Sequence, residues 1–345
     1  MSFPLNGFLI LTCSMNNFDV FPKKSLLFAP MEGITDEPYR IALMKTFPEW
    51  DHLFTDFLRV PTVGKVTERM IVEHYGERIL KNPEWRKKNS FQILTTERAQ
   101  TKDVVDILES LKMDHLDLNL GCPSKKVNSH FGGAYLLSNH KALSHVLKTI
   151  RSNFTGHFSV KMRIGYRDDS NFSDTLKLIQ DEGVEAITLH ARTRDQLYKG
   201  VADWSYIKKA VEEVKVPLIG NGDIWIAEDI EKVFKDTKCH SVMFGRSALK
   251  TPWLAKIYKD YVEDDGNIDD TFLLYERKKY LELYFDALMF EYRQIGWADN
   301  LILKRFKSFS RNLFDDYEDF ETIRGSFLRA ETLEQFLGHL YALKG

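Results

Sequence analysis

The sequence predicts an α/β fold, a (β/α)8 TIM barrel, followed by a C-terminal all-helical domain. Three observations carry that expectation. Short apolar, β-prone runs recur eight times between residues 26 and 245, each followed by a loop and a helix-like stretch. Several are apolar almost throughout, as strands of a parallel sheet covered on both faces are. The alternation stops at 263–270, and the chain beyond it is patterned as helix.

In order, the runs are LLFAP (26–30), HLFTDF (52–57), SFQIL (90–94), HLDLNL (115–120), SVKMRI (159–164), AITLHA (186–191), VPLIGN (216–221) and HSVMFG (240–245). Helical signals lie between them. Thr101 stands where an N-cap would open TKDVVDILESLK, and Val104, Val105, Leu108 and Leu111 fall on one face. NFSDTLKLIQDEG stops at Gly183, a residue type that favours the position after a helix. Eight such units in about 235 residues suit a barrel. A doubly wound sheet, the alternative, wants a G-x-G-x-x-G turn after an early strand, and the chain has none. EDDGNIDD (263–270) reads as a linker. The expected organisation is an N-terminal extension over 1–24, a barrel over 25–262 and a helical domain over 271–345.

Composition narrows the classes. With 345 residues and 43% hydrophobic, the chain can build a large core. Lys and Arg number 48 against 50 Asp and Glu, so the net charge of −2 neither requires nor forbids a nucleic-acid partner. Cys13, Cys122 and Cys239 are scattered, with no C-x-x-C, which argues against a metal site or a disulfide framework and suits a reducing, cytoplasmic compartment. FPLNGFLILTCS lacks the preceding basic residues of a signal peptide, and no apolar run approaches the roughly 20 residues of a membrane span.

In a barrel the chemistry sits at the C-terminal ends of the strands. There the sequence delivers Pro30 and Met31, then Gln92, then Asn119 and Cys122, then Lys161 and Arg163, then His190 and Arg192. The last two strands end in GNGD (220–223) and FGRSAL (244–249). Glycine-rich turns after the seventh and eighth strands commonly bind phosphate, which points to Gly222, Gly245 and Arg246. Lys161, in an otherwise apolar strand, is either a strand-end lysine reaching water or an interior cation that forms a Schiff base or faces a ligand that becomes anionic. Cys122 lies in a Gly–Cys–Pro loop, where Gly121 permits a tight backbone and Pro123 fixes the next residue. Its thiol could be a nucleophile or an acid. An ordinary value of about 8.5 keeps it protonated at neutral pH, while nearby Lys125 and Lys126 would favour thiolate.

FAPMEGITDEPYR, DLNLGCPSKKVNSHFGGAYLL, VKMRIGY, ITLHARTRDQLYKGVADW, PLIGNGDI and VMFGRSAL together resemble the tRNA-dihydrouridine synthase family, and TDFLRV is most similar to its bacterial C-type branch. The resemblance runs in order over about residues 25 to 255. It implies an FMN-dependent enzyme that reduces uridine in tRNA to 5,6-dihydrouridine, with NADPH as reductant. Carried over residue by residue, it places Pro30 and Met31 beside the flavin ring and Gln92 and Lys161 at its polar edge. His190, Asn221, Gly222, Asp223, Gly245 and Arg246 also bind flavin, the last two near its phosphate. Asn119 and Arg163 face the uracil, and Cys122 gives the proton. Hydride addition at uracil C6 needs an acid at C5, donors for the carbonyl oxygens, and a cation where reduction gathers charge.

The helical tail offers LKRFKSFSR (303–311), where Lys304, Arg305, Lys307 and Arg311 interleave with Phe306 and Phe309. With the resemblance, Lys304, Arg305 and Lys307 are expected to bind tRNA; KVTER (65–69) and NPEWRKKNS (82–90) are further basic stretches. The expected protein is a monomer without a membrane partner, modifying position 16 of the D-loop. Three other readings are a flavin barrel acting on a free pyrimidine, a non-catalytic RNA-binding relative, and a Lys161 Schiff-base aldolase.

Overall fold

A computed structural model describes residues 21–264, 266, 270–314 and 319–343. Cys13, most of the extension and residues 265 and 267–269 of the linker lie outside the described residues. Nine parallel strands are present: β1 (Leu26–Phe28), β2 (His52–Phe54), β3 (Leu58–Arg59), β4 (Asn89–Leu94), β5 (His115–Leu120), β6 (His157–Arg163), β7 (Ala186–His190), β8 (Leu218–Asn221) and β9 (Ser241–Phe244). Eight of them form the closed barrel, because β2 pairs with β4 as well as with β1, and β1 with β9. The two-residue β3 is an addition along the upper part of β4, with Leu58 opposite Ile93.

Side-chain alternation explains the layers. On β5, Leu116, Leu118 and Leu120 enter the core between barrel and helices, which leaves His115, Asp117 and Asn119 to the interior. The interior is divided. Leu27, Ala29, Phe54, Ile219 and Met243 pack there as an apolar cluster, whereas β4 to β6 supply Ser90, Gln92, His115, Asp117, Asn119 and Ser159, all buried. Phe21, counted by the sequence with the extension, joins the apolar cluster and stands 5.0 Å from the His52 and His115 rings, closing the base.

Two local expectations meet different outcomes. Gly183 follows the helix Phe172–Asp181 with a φ of +79°, as its position suggested. Thr101 is the first residue of its helix rather than the cap, which is Gln100; its hydroxyl pairs instead with that of Thr95 at 2.6 Å.

Beyond the linker come four helices, Asp270–Gln294, Asp299–Leu313, Phe320–Arg329 and Leu333–Tyr341. Phe285, Phe306, Phe327 and Phe336 make their core, with ring centroids 4.8 to 5.4 Å apart. This bundle docks on the barrel helix Glu37–Thr46. Tyr39 packs on Tyr284 and Phe309, and buried Glu291 takes Lys45 at 2.7 Å and Arg78 at 2.6 Å. Among the described residues no helix is long and apolar enough to cross a membrane.

Candidate active site at the barrel mouth

The Gly–Cys–Pro loop leaves the end of β5 and is held from three sides. The side-chain oxygen of Asn119 accepts from the backbone N–H of Gly121 at 3.0 Å and of Cys122 at 2.9 Å. Asn128 donates to the carbonyl of Cys122 at 2.9 Å. Arg163 donates through Nε to the carbonyl of Gly121 at 2.9 Å. The thiol is therefore carried on a fixed backbone and remains partly exposed. Burial pushes its pKa above the ordinary value; a Ser124 N–H and the charges of Arg59 and Arg163 pull it down and Glu32 pushes it up, with a net rise. Lys125 and Lys126 are exposed on the short helix that follows. The thiol thus keeps its proton at neutral pH and suits an acid better than a nucleophile.

Nine residues expected at a ligand line one pocket: Pro30, Met31, Lys161, His190, Asn221, Gly222, Asp223, Gly245 and Arg246. Strand ends deliver them side by side, since Arg163 is opposite His190 and His190 opposite Asn221 in the sheet. Lys161 projects into this pocket and donates to Asn221 Oδ1 at 3.1 Å. Asn221 is oriented for this because its own amide donates to the carbonyl of Met243 at 2.7 Å. Burial pushes Lys161 down to about 8; Arg163 pushes it the same way and Asp117 opposes. His190 is held neutral, by burial first and then by the cations around it.

The turn after β8 admits little substitution. Gly222 has a φ of +116°, and a Cβ there would stand 2.8 Å from the His190 ring and 2.9 Å from Ala202. Asp223 follows with φ +49°. Its carboxylate is occupied by both guanidinium ends of Arg192, by the Ala202 N–H at 2.8 Å and by Arg246 at 2.9 Å. Burial alone would raise its pKa, but those hydrogen bonds and charges outweigh it and hold the group below the usual range. Asp223 thus orients Arg246, which also stacks on Tyr198 at 4.5 Å and Trp225 at 5.1 Å.

Four other expected residues make most of their hydrogen bonds within the protein. Gln92 is fully buried below the pocket, donating to Asp117 at 2.6 Å and accepting from Asn119 at 2.8 Å. Asn119 donates one amide hydrogen to Gln92 and accepts from the cysteine loop, which it helps to set. Arg163 is 2% exposed and donates through Nε to the carbonyl of Gly121 and through Nη1 to those of Thr193 and Leu197. Arg305, expected against RNA, turns to the barrel: it binds the carbonyls of Gly33 and Ile34, the Asp36 carboxylate at 2.6 Å and the Tyr292 hydroxyl at 2.8 Å.

Lys304 and Lys307 remain on the free side. With Arg311, Trp297 and Asn300 they line an open groove that reaches Gly33, two residues beyond Met31. Sequence reasoning passed over Tyr198, Trp225 and Asp117. Tyr198 is half exposed at the pocket, its ring 6.2 Å from His190 and 5.4 Å from the Arg163 guanidinium. Its signal was an aromatic residue in the otherwise polar loop RDQLYKG. For Asp117 the signal was strict polar alternation in HLDLNL, inside a fold whose interior strands are usually apolar.

The chain matches the family model for dihydrouridine synthase over residues 27–310. It is 30% identical over 271 residues to the tRNA-dihydrouridine(16) synthase of Neisseria meningitidis serogroup B, covering 77% of this chain and 80% of that protein. It is 34% identical over 234 residues to the tRNA-dihydrouridine(16) synthase of Cupriavidus necator, covering 67% and 72%. A tRNA-dihydrouridine synthase B from Pasteurella multocida is 28% identical over 257 residues, covering 71% of each.

Proposed function

The chain belongs to the dihydrouridine synthase family, and from that premise we propose that it reduces uridine to 5,6-dihydrouridine in tRNA, at position 16 of the D-loop, using FMN and NADPH. The observation that carries this reading is a thiol on a loop fixed by Asn119, Asn128 and Arg163, at the end of the strand next to the one that delivers Lys161 into the pocket. Two relatives named for position 16 support the choice of uridine.

The pocket fits FMN on its donor chemistry. At Gly245 a Cβ would make only ordinary van der Waals contact, with Met31 Sδ at 3.8 Å and Ala29 Cβ at 3.9 Å. Arg246, fixed by Asp223, offers charge to a phosphate beside the compact turn at Gly222. Lys161 would lie at the polar edge of the ring, where its ammonium opposes charge gathered on reduction. Bound there, the flavin would supply the hydride.

The protein's own groups do the rest. Cys122 holds a proton and gives it to C5 of the base as hydride is added at C6. Tyr198, with an exposed ring beside the pocket, offers a stacking surface for a pyrimidine turned out of the RNA. Lys304 and Lys307 bind backbone phosphates in a groove that leads to the mouth. Cys122→Ala should retain yellow colour and reduction by NADPH, yet form no dihydrouridine. Nucleoside mass spectrometry of tRNA, mapped by position, from cells carrying the wild-type chain, the Cys122→Ala variant or neither tests this. Wild-type dihydrouridine with the variant would overturn the acid; unchanged position 16 in cells without the protein would overturn the substrate.

A further inference from the structure

Beneath the pocket, buried polar side chains run through one half of the barrel as a continuous hydrogen-bonded chain. From the base upward, His52 Nε2 meets Ser90 Oγ at 2.6 Å, and Ser90 Oγ meets His115 Nδ1 at 2.6 Å. His115 Nε2 meets Ser159 Oγ at 3.0 Å, and Ser159 donates to Asp117. From the other side of the same carboxylate, Gln92 donates to Asp117 at 2.6 Å. Asn119 donates to Gln92 at 2.8 Å, and the N–H groups of Gly121 and Cys122 donate to Asn119. Every side chain in it is buried.

With Asp117 ionised, as it is above the pKa of about 6 to which burial raises it, the direction of each bond is determined. Backbone N–H groups only donate, so Asn119 must turn its oxygen to the cysteine loop and its NH2 to Gln92. Gln92 must then accept above and donate below, which requires an acceptor at 117. Ser159 has one proton, and it goes to Asp117. His115 therefore carries its proton on Nε2 and accepts at Nδ1 from Ser90, and His52 donates from Nε2. Burial keeps both imidazoles neutral, as this scheme needs. Two arms of donors converge on one carboxylate.

From this arrangement we propose that Asp117 is the positioning residue of the site, the shared acceptor that fixes the Gln92 and Asn119 amides and through them the Cys122 loop. It touches neither base nor pocket, and it acts through others. Its place in the reaction rests on the dihydrouridine synthase reading, but its effect on the loop does not.

The scheme makes two substitutions behave differently. Asp117→Asn keeps an oxygen for Gln92 and turns an NH2 to Ser159. The lower arm can then reverse, its hydroxyls rotating and both histidines moving their protons from Nε2 to Nδ1. Asp117→Ala removes the acceptor and leaves the buried Gln92 amide with nothing to donate to.

The test uses the flavin-loaded full chain. Imidazole nitrogen NMR reads the tautomers of His52 and His115, and iodoacetamide labelling followed by peptide mass mapping reads Cys122. The expected result is Nε2–H on both histidines in the wild type and Nδ1–H on both in Asp117→Asn, with Cys122 labelled within about twofold of the wild-type rate. In Asp117→Ala, labelling of Cys122 should rise about tenfold or more, the gain expected when roughly 1.4 kcal/mol of loop restraint is lost. Unchanged labelling in Asp117→Ala, or unchanged tautomers in Asp117→Asn, would overturn the proposal. Should Asp117→Ala not fold, the tautomer result in Asp117→Asn decides alone. Full turnover by Cys122→Ala would instead remove the acid assignment and leave this positioning role standing.

Discussion

Asn119 holds Cys122 in place: its side-chain oxygen accepts the Cys122 backbone N–H at 2.9 Å and that of Gly121 at 3.0 Å. Two otherwise unpaired donors at the end of β5 are thus satisfied by one residue two and three positions earlier, and the thiol inherits a fixed origin.

Asn119→Ala removes that acceptor and should leave two N–H groups without a partner, at about 1–3 kcal/mol each where they are shielded from water. The loop relaxes toward solvent to hydrate them, so the thiol drifts from the base. Flavin content should stay near wild type, because the pocket residues are untouched. Dihydrouridine formation in a single turnover should fall by tenfold or more. Absorbance of bound flavin and nucleoside mass spectrometry measure the two halves; equal losses in both would point to general unfolding instead.

Gly222→Ala tests the opposite wall. Its backbone has a φ of +116°, and the new methyl would be 2.8 Å from the His190 ring. Both the conformation and the space resist it, and the Asp223–Arg246 pair is the next residue along. The variant should lose flavin on purification, and the ratio of flavin to protein absorbance reports it. Gly245→Ala, which makes only ordinary van der Waals contact, should lose less.

The pH dependence of flavin binding follows from Lys161. Burial brings its folded-state pKa down to about 8, so the group is cationic below that value and neutral above it. Attraction for an anionic ligand is therefore present at pH 6–7 and is lost as pH rises through about 8. Titrating reduced FMN, whose ring carries the charge, into the flavin-free protein without oxygen should show affinity falling across that range. Lys161→Met should bind more weakly at pH 7 and show no such fall. A wild-type affinity that stays flat from pH 7 to 9 would place the charge elsewhere.

The barrel was legible because each of its eight strands is a compact apolar run closed by a polar or glycine-rich end, and LLFAP, HLDLNL and HSVMFG all became strands. The pocket was legible for a related reason: polar residues at strand ends have few places to go but the mouth. What the sequence did not disclose is which polar group spends its bonds on another. Asn119 and Arg163 look like ligand contacts in one dimension, and only the return of the chain at Gly121, Thr193 and Leu197 shows that they also hold backbone. The alternation in HLDLNL marks Asp117 as inward-facing but not what it holds, because its partners, Gln92 and Ser159, come from neighbouring strands 25 and 42 residues away.

The helix Asp299–Leu313 carries a similar division, and it separates two effects that its composition merges. Lys304, Arg305 and Lys307 all line the open groove, but Arg305 also joins the bundle to the barrel through Gly33, Ile34, Asp36 and Tyr292. Neutralising Lys304 and Lys307 together should weaken tRNA binding and flatten its salt dependence, by roughly 0.7–0.9 in the log–log slope for each phosphate no longer neutralised by a lysine. Melting temperature should barely move, since neither lysine pairs a buried group. Arg305→Ala should do the reverse. It removes the charged partner of Asp36, which keeps the Tyr39 N–H and the Tyr292 hydroxyl, and one donor from each of two carbonyls, so the fold loses about 1–3 kcal/mol and melts earlier. Its tRNA salt slope should match the wild type at temperatures where both are folded. A variant of Arg305 that melts normally and shows a reduced slope would return that residue to the RNA surface.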